Sequence, residues 1–459
     1  METQNETQNE NAASSSLGRR KFLSTGSQAA LAATFLAAAD VIAAPKSKSG
    51  SNAASAPAAI ASPPAKDIPA PIELDSIDEG KPAKEPQPAR MNRDQRVGYA
   101  IVGLGHLTLA QILPAMLQSK RAKVVALVSG DRKKAERVAD MYDVPREGIY
   151  SYENFDEIAK NPAIQAVYIV LPNSMHLEFT LRAARAGKHV LCEKPMANTV
   201  EEAEQMVKAC ADARVQLMIA YRIQYEPRTR EAMKWIRDKK VLGQAKLLDM
   251  VNIQNQSKTN LNQWRHKKAL AGGGALPDIG LYCLNTARYL TGEEPIEVGA
   301  MQDSTPGDAR FKEIEETVSW WMRFPSGLIA QCLTSYGAFG TKRWRANCEK
   351  GFVEMDPAFP YSGLKLKRSR KADEVLGLKG EEEETFQAED KNQFIAELDH
   401  FAECVVKNQK PYTPGEEGLQ DQRIMKAIYE SAASGRPVKL EHHSGLDKFR
   451  GTKPTEEPK

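Results

Sequence analysis

The stretch Tyr99-Ala-Ile-Val-Gly-Leu-Gly-His-Leu-Thr108 runs an apolar strand straight into a Gly-x-Gly turn, and the apolar-periodic segment Leu109 to Leu117 follows it. Strand, glycine turn and helix in that order form the entry to a dinucleotide-binding sheet. Gly103 permits the tight turn, Gly105 lets the backbone come close to a pyrophosphate, and the helix aims its first amides at the anion. Thr108 stands in place of a third glycine. Two glycines alone fit many nucleotide-free turns equally well, so the rest of the chain decides.

Downstream, apolar runs alternate with helical patterns at the spacing of parallel-sheet units. Strands are expected at Lys123 to Val128, Ala166 to Leu171, His189 to Cys192 and Gln216 to Ala220, with helices at Arg132 to Tyr142, His176 to Ala186 and Val200 to Ala213. That is a doubly wound α/β sheet. Ligands of such sheets lie beyond the carboxyl ends of the strands. The crevice is therefore expected to be lined by Gly103, Leu104, Gly105, His106 and Leu107, by Ser129 and Gly130, by Leu171, Pro172, Asn173 and His176, and by Glu193 and Lys194.

The second strand ends in Ser129-Gly130-Asp131-Arg132-Lys133-Lys134. An NAD-selective site usually places an acid at this point for the ribose diol, whereas a hydroxyl followed by basic residues suits a 2'-phosphate. Arg132 and Lys134 are the candidate phosphate contacts, and NADP is the expected cofactor. Asp131 fits a helix N-cap as well as a ribose ligand. At the end of the strand His189 to Cys192, Lys194 faces the crevice, where its cation can lower the pKa of a neighbouring acid and orient a hydroxyl. Pro195 stops that strand.

The chain has 459 residues, 41% of them hydrophobic, and a formal charge of +3. Such a length accommodates two or three domains, and the near-balanced charge gives no footprint for nucleic acid. No run reaches the eighteen or so apolar residues of a membrane span. Gly18-Arg19-Arg20-Lys21-Phe22-Leu23 precedes the alanine-rich run Ala29 to Ala39. An Arg pair, a weakly apolar run and small residues in that order predict a twin-arginine export signal over residues 1–44, and hence a periplasmic protein. Residues 45–93 are dominated by Ala, Pro, Ser and Lys and are expected to be a linker, or an arm that orders only against a partner. The six cysteines show no metal-ligand spacing and are expected to be small buried hydrophobes; no metal site is expected.

The nucleotide domain spans 94–221 and a second domain 222–390, with C-terminal helices over 391–440 packing back on the first domain and a tail over 441–459. Tyr221-Arg222-Ile223-Gln224-Tyr225 leaves the last strand of the nucleotide sheet. Gln263-Trp264-Arg265 then precedes Gly272-Gly273-Gly274 and Asp278-Ile279-Gly280-Leu281-Tyr282. Three glycines let backbone approach a ligand, and Asp278 and Tyr282, four apart, share a helix face. An N-cap and a packing phenol would account for the same two residues. Strands are expected at Lys246 to Gln256, Glu297 to Gln302, Thr317 to Phe324, Leu328 to Ser335 and Trp344 to Met355, and a hairpin turn at Pro325-Ser326-Gly327. The charge run Lys365 to Glu384 is expected to be a solvated loop. Phe394, Leu398, Phe401 and Val405 predict one helix, and Leu419 to Ala433 another.

Taken together, Gly103-Leu-Gly105, Leu127-Val-Ser-Gly130, Leu171-Pro-Asn-Ser174, Gly187-Lys-His-Val190, Cys192-Glu-Lys-Pro-Met196, Tyr221-Arg222, Gly272-Gly-Gly274, Asp278-Ile-Gly280 with Tyr282, and Pro414-Gly-Glu-Glu-Gly418 resemble the Gfo/Idh/MocA family. That family includes glucose-fructose oxidoreductase, inositol dehydrogenases and MocA-type proteins. The resemblance runs from about Val97 to Val438, and Tyr282, where most relatives place a histidine, resembles the sugar-oxidoreductase branch. It implies a Rossmann domain followed by an α+β domain with a large, mostly antiparallel, open-faced sheet, through which the protein would form a dimer or tetramer. It also implies tightly bound NADP and a closed cycle, in which an aldose is oxidised at C1 to a lactone and a second, fructose-like sugar is reduced. Tyr282 would be the general base, helped by the cation of Lys194, since a phenol alone is too weak an acid at neutral pH. Asp278 would hold a sugar hydroxyl and fix the lysine or the tyrosine. Arg222, Trp264 and Arg265 would complete the cofactor and sugar surroundings, with Tyr225 a candidate sugar contact. An ordinary dehydrogenase that exchanges its cofactor, an NAD-dependent glycosidase and a sugar sensor are the competing readings on the same fold.

Overall fold

The computed structural model describes residues 95–372 and 380–454, so the export segment and the Pro/Ala-rich arm lie outside the described residues. From Val97 to Ala220 the chain alternates strand and helix: β1 (Val97–Val102), α1 (Leu113–Gln118), β2 (Ala122–Val128), α2 (Arg132–Tyr142), β3 (Ile149–Tyr150), β4 (Ala166–Ile169), α3 (His176–Arg185), β5 (His189–Glu193), α4 (Val200–Asp212) and β6 (Leu217–Ala220). The six strands form one parallel sheet in the order β3-β2-β1-β4-β5-β6. Every residue of β1 and β4 is buried, as expected of parallel strands covered on both faces. The strand order reverses between β1 and β4, and the glycine turn after β1 sits at that switch.

After α5 (Pro227–Met233) the chain builds a second, nine-stranded sheet from β7 (Ala245–Ile253), β8 (Glu297–Asp303), β9 (Thr317–Arg323), β10 (Ile329–Ser335), β11 (Thr341–Cys348), β12 (Gly351–Met355), β13 (Leu366–Lys371), β14 (Glu381–Phe386) and β15 (Val438–Lys439). Neighbours pair antiparallel except β7 with β10. Two helices, α6 (Lys268–Ala271) and α7 (Leu281–Thr291), interrupt the strands, and α8 (Gln393–Lys407) and α9 (Gly415–Ser434) follow them. Strict alternation in β9 turns Val318, Trp320 and Met322 into the core. The opposite face is open: Leu247 and Ile329, direct cross-strand partners, are 51% and 42% exposed.

Two expectations about strands need correction. The run Trp344 to Met355 is two antiparallel strands, β11 and β12, because the chain turns at Glu349 and Lys350. The charged stretch Lys365 to Glu384 is not a loop in its described part but the hairpin β13–β14, in which Lys367 pairs with Glu383, Arg368 with Glu384 and Arg370 with Glu382 across the strands. Blocks of opposite charge look like solvated chain in sequence, yet in antiparallel register they become partners.

The C-terminal helices return to the first domain. In α8, the carbonyl of Leu398 accepts from the Tyr99 hydroxyl at 3.3 Å, and Asp399 accepts from Ser119 Oγ. In α9, Gln422 donates to the carbonyl of Ala197 at 2.6 Å. The residues after β15 are more than a tail, since Arg450 is buried and pairs with Glu417 at 2.9 Å.

That pair belongs to a buried charge cluster which fixes α7. Arg288, fully buried, meets Glu294 at 2.7 Å, Glu417 at 3.1 Å and also Asp421. Asp421 accepts from Tyr221 Oη at 2.6 Å and Asn285 Nδ2 at 2.9 Å. Burial raises the Asp421 carboxyl, whereas Arg288 and Arg450 overcome burial at Glu417 and lower it. With its partners satisfied such a cluster is tolerable; with one cation removed it is not. Arg288→Met is therefore expected to cost about 3–5 kcal/mol in urea unfolding. By contrast, Arg343→Met, which breaks a half-exposed pair with Asp249 on the open face, should cost less than about 1 kcal/mol.

Candidate active site

Three backbone features bring one cleft into being. Gly103 takes φ +96°, and a Cβ there would lie 2.2 Å from the carbonyl of Val170, so the turn after β1 packs directly on the exit of β4. The Thr108 hydroxyl donates to the carbonyl of Gly103 at 2.7 Å, which closes the turn from the position where a third glycine was lacking. On the other domain, Cβ atoms at Gly273 and Gly274 would lie 2.1 Å from the Tyr429 hydroxyl and 2.0 Å from the carbonyl of Glu315. The Glu315 carboxylate accepts from the amides of Gly274 at 2.8 Å and Leu276 at 3.0 Å. It thereby fixes the turn that launches Asp278 and, one helical turn on, Tyr282.

Lys194, at the end of β5, reaches across to that segment. Its Nζ donates to the main-chain carbonyl of Asp278 at 2.8 Å and to Oδ1 at 3.3 Å. Asp278 Oδ2 accepts from the Tyr336 hydroxyl at 2.6 Å and pairs with Arg265 Nε at 3.2 Å. Burial opposes ionisation of Asp278, but Lys194, Arg265 and Tyr336 outweigh it and hold the carboxyl at about 2. Asp278 is thus a permanent anion and an anchor for cations, not a base that cycles. Burial and the adjacent Asp278 raise the Tyr336 phenol, so it stays protonated.

Tyr282 is half-buried beside this pair. Lys194 Nζ stands 4.8 Å, and the Arg222 guanidinium 5.2 Å, from its ring centroid. Arg222 is itself buried, donates to the carbonyl of Phe359 at 2.8 Å and to Gln393, and lies 4.3 Å from the ring of Tyr361. Together with Asn252, Gln254, Lys342 and Pro360 these side chains line a solvent-open cleft.

The expected cofactor residues divide into two groups. Gly105 is exposed with nothing within 4 Å of where its Cβ would be, and His106 Nδ1 is buried without a hydrogen-bond partner among the described residues. An open glycine beside an unsatisfied ring nitrogen at the switch point fits a bound dinucleotide. Leu104 is buried and Leu107 half-buried at the same turn. Ser129 Oγ accepts from the amide of Asp131 at 3.1 Å, and Asp131 caps α2 by accepting from the amide of Lys134 at 3.0 Å, so the capping alternative for Asp131 is the one realised. Trp264 is half-buried with the Arg265 guanidinium 4.6 Å from its ring.

For several of the expected contacts, the structure gives a different task. His176 is wholly buried, and its two ring nitrogens meet the carbonyls of Pro195 and Leu171, each at 3.0 Å. It locks the exits of β4 and β5 together and leaves no nitrogen for a cofactor. Asn173 does the same between domains, donating to the carbonyl of Ala271 at 2.9 Å. Glu193 points into the interior, accepting from Tyr168 Oη at 2.7 Å and from the amide of Lys194. Burial raises its carboxyl. Arg132 is engaged by Glu136 at 2.8 Å and by the carbonyl of Ile149 at 3.1 Å. Tyr225 is not a sugar contact: it is buried on the far side of the sheet, 3.0 Å from Thr413 Oγ1 and packed on His400 and Tyr412. The short helical turn after β6 sends Arg222 to the cleft and Tyr225 to the core.

No motif marks Asn252, Gln254, Tyr336, Lys342 or Tyr361. Tyr336 carries one positional signal, since it directly follows the last residue of β10 and precedes Gly337. Tyr152, across the Ser129–Gly130 turn, was also missed; its ring would lie 3.2 Å from a Cβ at Gly130.

Comparison with known proteins agrees with this arrangement. Residues 97–221 match the model of an oxidoreductase family with an NAD-binding Rossmann fold, and residues 229–354 match the GFO/IDH/MocA C-terminal domain. A D-xylose 1-dehydrogenase [NADP(+)] of Haloarcula marismortui is 34% identical over 76% of this chain and 94% of its own length. A 1,5-anhydro-D-fructose reductase of Ensifer adhaerens is 27% identical over 75% of this chain and 98% of its own. The crystal structure of an aldose-aldose oxidoreductase from Caulobacter crescentus complexed with glycerol superposes with a TM-score of 0.70 at 42% identity, covering 75% of this chain and all of that one.

The depressed Asp278 carboxyl carries a prediction with a definite sign. Its folded value lies below the ordinary 3.8, so its contribution is complete above pH 4 and is lost as pH falls toward 2. Asp278→Asn is expected to lower stability by about 2 kcal/mol at pH 7. In thermal unfolding the gap between variant and parent should narrow steadily between pH 4 and pH 2.5; a gap independent of pH would show that Asp278 does not act through its charge.

Proposed function

The chain belongs to the Gfo/Idh/MocA family of oxidoreductases, and from that premise we propose that it is a periplasmic sugar oxidoreductase that keeps NADP tightly bound. It oxidises an aldose at C1 to a lactone and returns the hydride to a second sugar, a fructose-like ketose or a second aldose. The observation that carries this reading is the convergence of Lys194, Asp278 and Tyr282 in a solvent-open cleft lined by polar and charged side chains.

The turn Gly103–Leu107 with Ser129, Gly130 and Lys134 would hold the dinucleotide, and nicotinamide chemistry supplies the hydride acceptor and donor. Tyr282 takes the proton of the C1 hydroxyl as the hydride leaves carbon, and gives a proton back to the carbonyl oxygen of the second sugar. Lys194 and Arg222, both close to the Tyr282 ring, orient the sugar oxygens. Asp278 keeps Lys194 from swinging away. Since Tyr282 ends the cycle as it began, proton and hydride balance without a free cofactor pool.

The Arg19-Arg20 signal supports export of the folded protein, and the periplasm favours a cofactor that is retained rather than exchanged. Leu247, Ile329 and Met301 exposed on the open face of the second sheet support assembly through that face. The 1,5-anhydro-D-fructose reductase and aldose-aldose oxidoreductase names among the relatives support sugars on both half-reactions.

The test is to dialyse the purified protein extensively, add glucose, follow absorbance of the reduced nicotinamide, add fructose or a second aldose, and then denature and identify the nucleotide. NADP released in stoichiometric amount, reduced once and reoxidised by the second sugar, is expected. Loss of nucleotide on dialysis would indicate a dehydrogenase that exchanges its cofactor, and bound NAD inert to free sugars would indicate a glycosidase or a sensor. Tyr282→Phe should retain the nucleotide while slowing its reduction by ~100-fold or more; near-normal reduction would remove Tyr282 as the base.

A further inference from the structure

Asn252 occupies the next-to-last position of β7, at the floor of the cleft. It stands opposite Thr334 on β10 and Lys342 on β11, so its side chain and that of Lys342 share one face of the sheet. Its Nδ2 donates to the main-chain carbonyl of Ile279 at 2.9 Å, next to Asp278. That bond fixes which way the amide points, because the reversed orientation would set oxygen against the carbonyl oxygen of Ile279. Oδ1 is therefore turned away from Ile279. Although the residue is only 2% exposed, Oδ1 has no hydrogen-bond donor among the described residues.

A buried amide oxygen without a donor is costly. The residue nevertheless lines the cleft with Lys194, Asp278 and Tyr282. Oδ1 can only accept, so its partner must bring a proton. Cationic neighbours such as Lys194 and Arg222 can only donate. A hydroxyl is the group that satisfies both at once, giving its proton to Asn252 and its lone pair to a cation.

We propose that Asn252 is a specificity-determining residue that reads, through Oδ1, a sugar hydroxyl other than the one oxidised. This rests on the sugar oxidation proposed above and adds the contact that selects among sugars. A site built to pair a hydroxyl rejects the analogue that lacks it far more strongly than an apolar pocket distinguishes a methylene. The selectivity therefore falls on a single position of the ring.

The experiment compares kcat/KM for D-glucose and its 2-, 3-, 4- and 6-deoxy analogues in the full-length protein, then in Asn252→Ala. One deoxy sugar is expected to be poorer than glucose by ~100-fold or more in the parent. In Asn252→Ala, glucose should fall toward that analogue, and the ratio between the two should narrow to about 3-fold while ratios for the other deoxy sugars persist. An equal loss for every sugar, or no loss for glucose, overturns the inference. So does a parent that tolerates all four deoxy sugars within about 3-fold, a result that needs no variant to fold. A parent inert toward every sugar tested, glucose, xylose and galactose included, would overturn the sugar reading itself and this inference with it.

Discussion

The Lys194 ammonium on Asp278 is the contact from which the rest of the site follows. It joins the end of a parallel strand in one domain to the first turn of a helix in the other, through a main-chain carbonyl at 2.8 Å and a carboxylate oxygen at 3.3 Å. Two bonds to one residue define a direction as well as a distance. Tyr282 follows Asp278 by four residues, so fixing the lysine on Asp278 also sets where the cation stands over the phenol ring. Arg265 and Tyr336 complete the shell, and the carboxylate has no freedom to serve any other purpose.

That pairing needs a helix that does not move, and the chain secures α7 from both ends. Glu315 collects the amides at its start, while Arg288, deep in its last turn, is held by Glu294, Glu417 and Asp421. Asp421 also takes the hydroxyl of Tyr221, and Gln224 donates to Asn285 on α7 at 2.7 Å. Both belong to the segment that carries Arg222. The buried charges therefore couple the two elements that bring Tyr282 and Arg222 face to face, and their conformational specificity is the return for the desolvation they require.

Much of this was legible beforehand for a physical reason. Parallel strands buried on both faces leave unbroken apolar runs, so β1, β2, β4, β5 and β6 could be placed, and strand ends of such a sheet point to ligands, which singled out Lys194 and the glycine turn. Spacing put Asp278 and Tyr282 on one helix face, and resemblance added their roles. What stayed hidden depends on pairing between distant residues. Arg288, Glu294, Glu417, Asp421 and Arg450 are spread over more than a third of the chain and carry no local pattern. Asn252 looks like one polar residue in a strand until its opposite numbers on β10 and β11 are known. His176 and Tyr225 were placed at the ligand because they stand near it in sequence; a helix start and a short helical turn direct them elsewhere.

The hairpin of β13 and β14 has a consequence for what the large sheet can become. Its outermost strand presents Glu381 to Glu384, of which Glu382, Glu383 and Glu384 are matched by Arg370, Lys367 and Arg368 on the inner side. A second copy approaching that border would set glutamates against glutamates, with the compensating cations already committed. At the other border, β15 offers only two residues of backbone. Neither margin invites another strand, so a nine-stranded sheet with an exposed apolar face cannot grow sideways into a fibre.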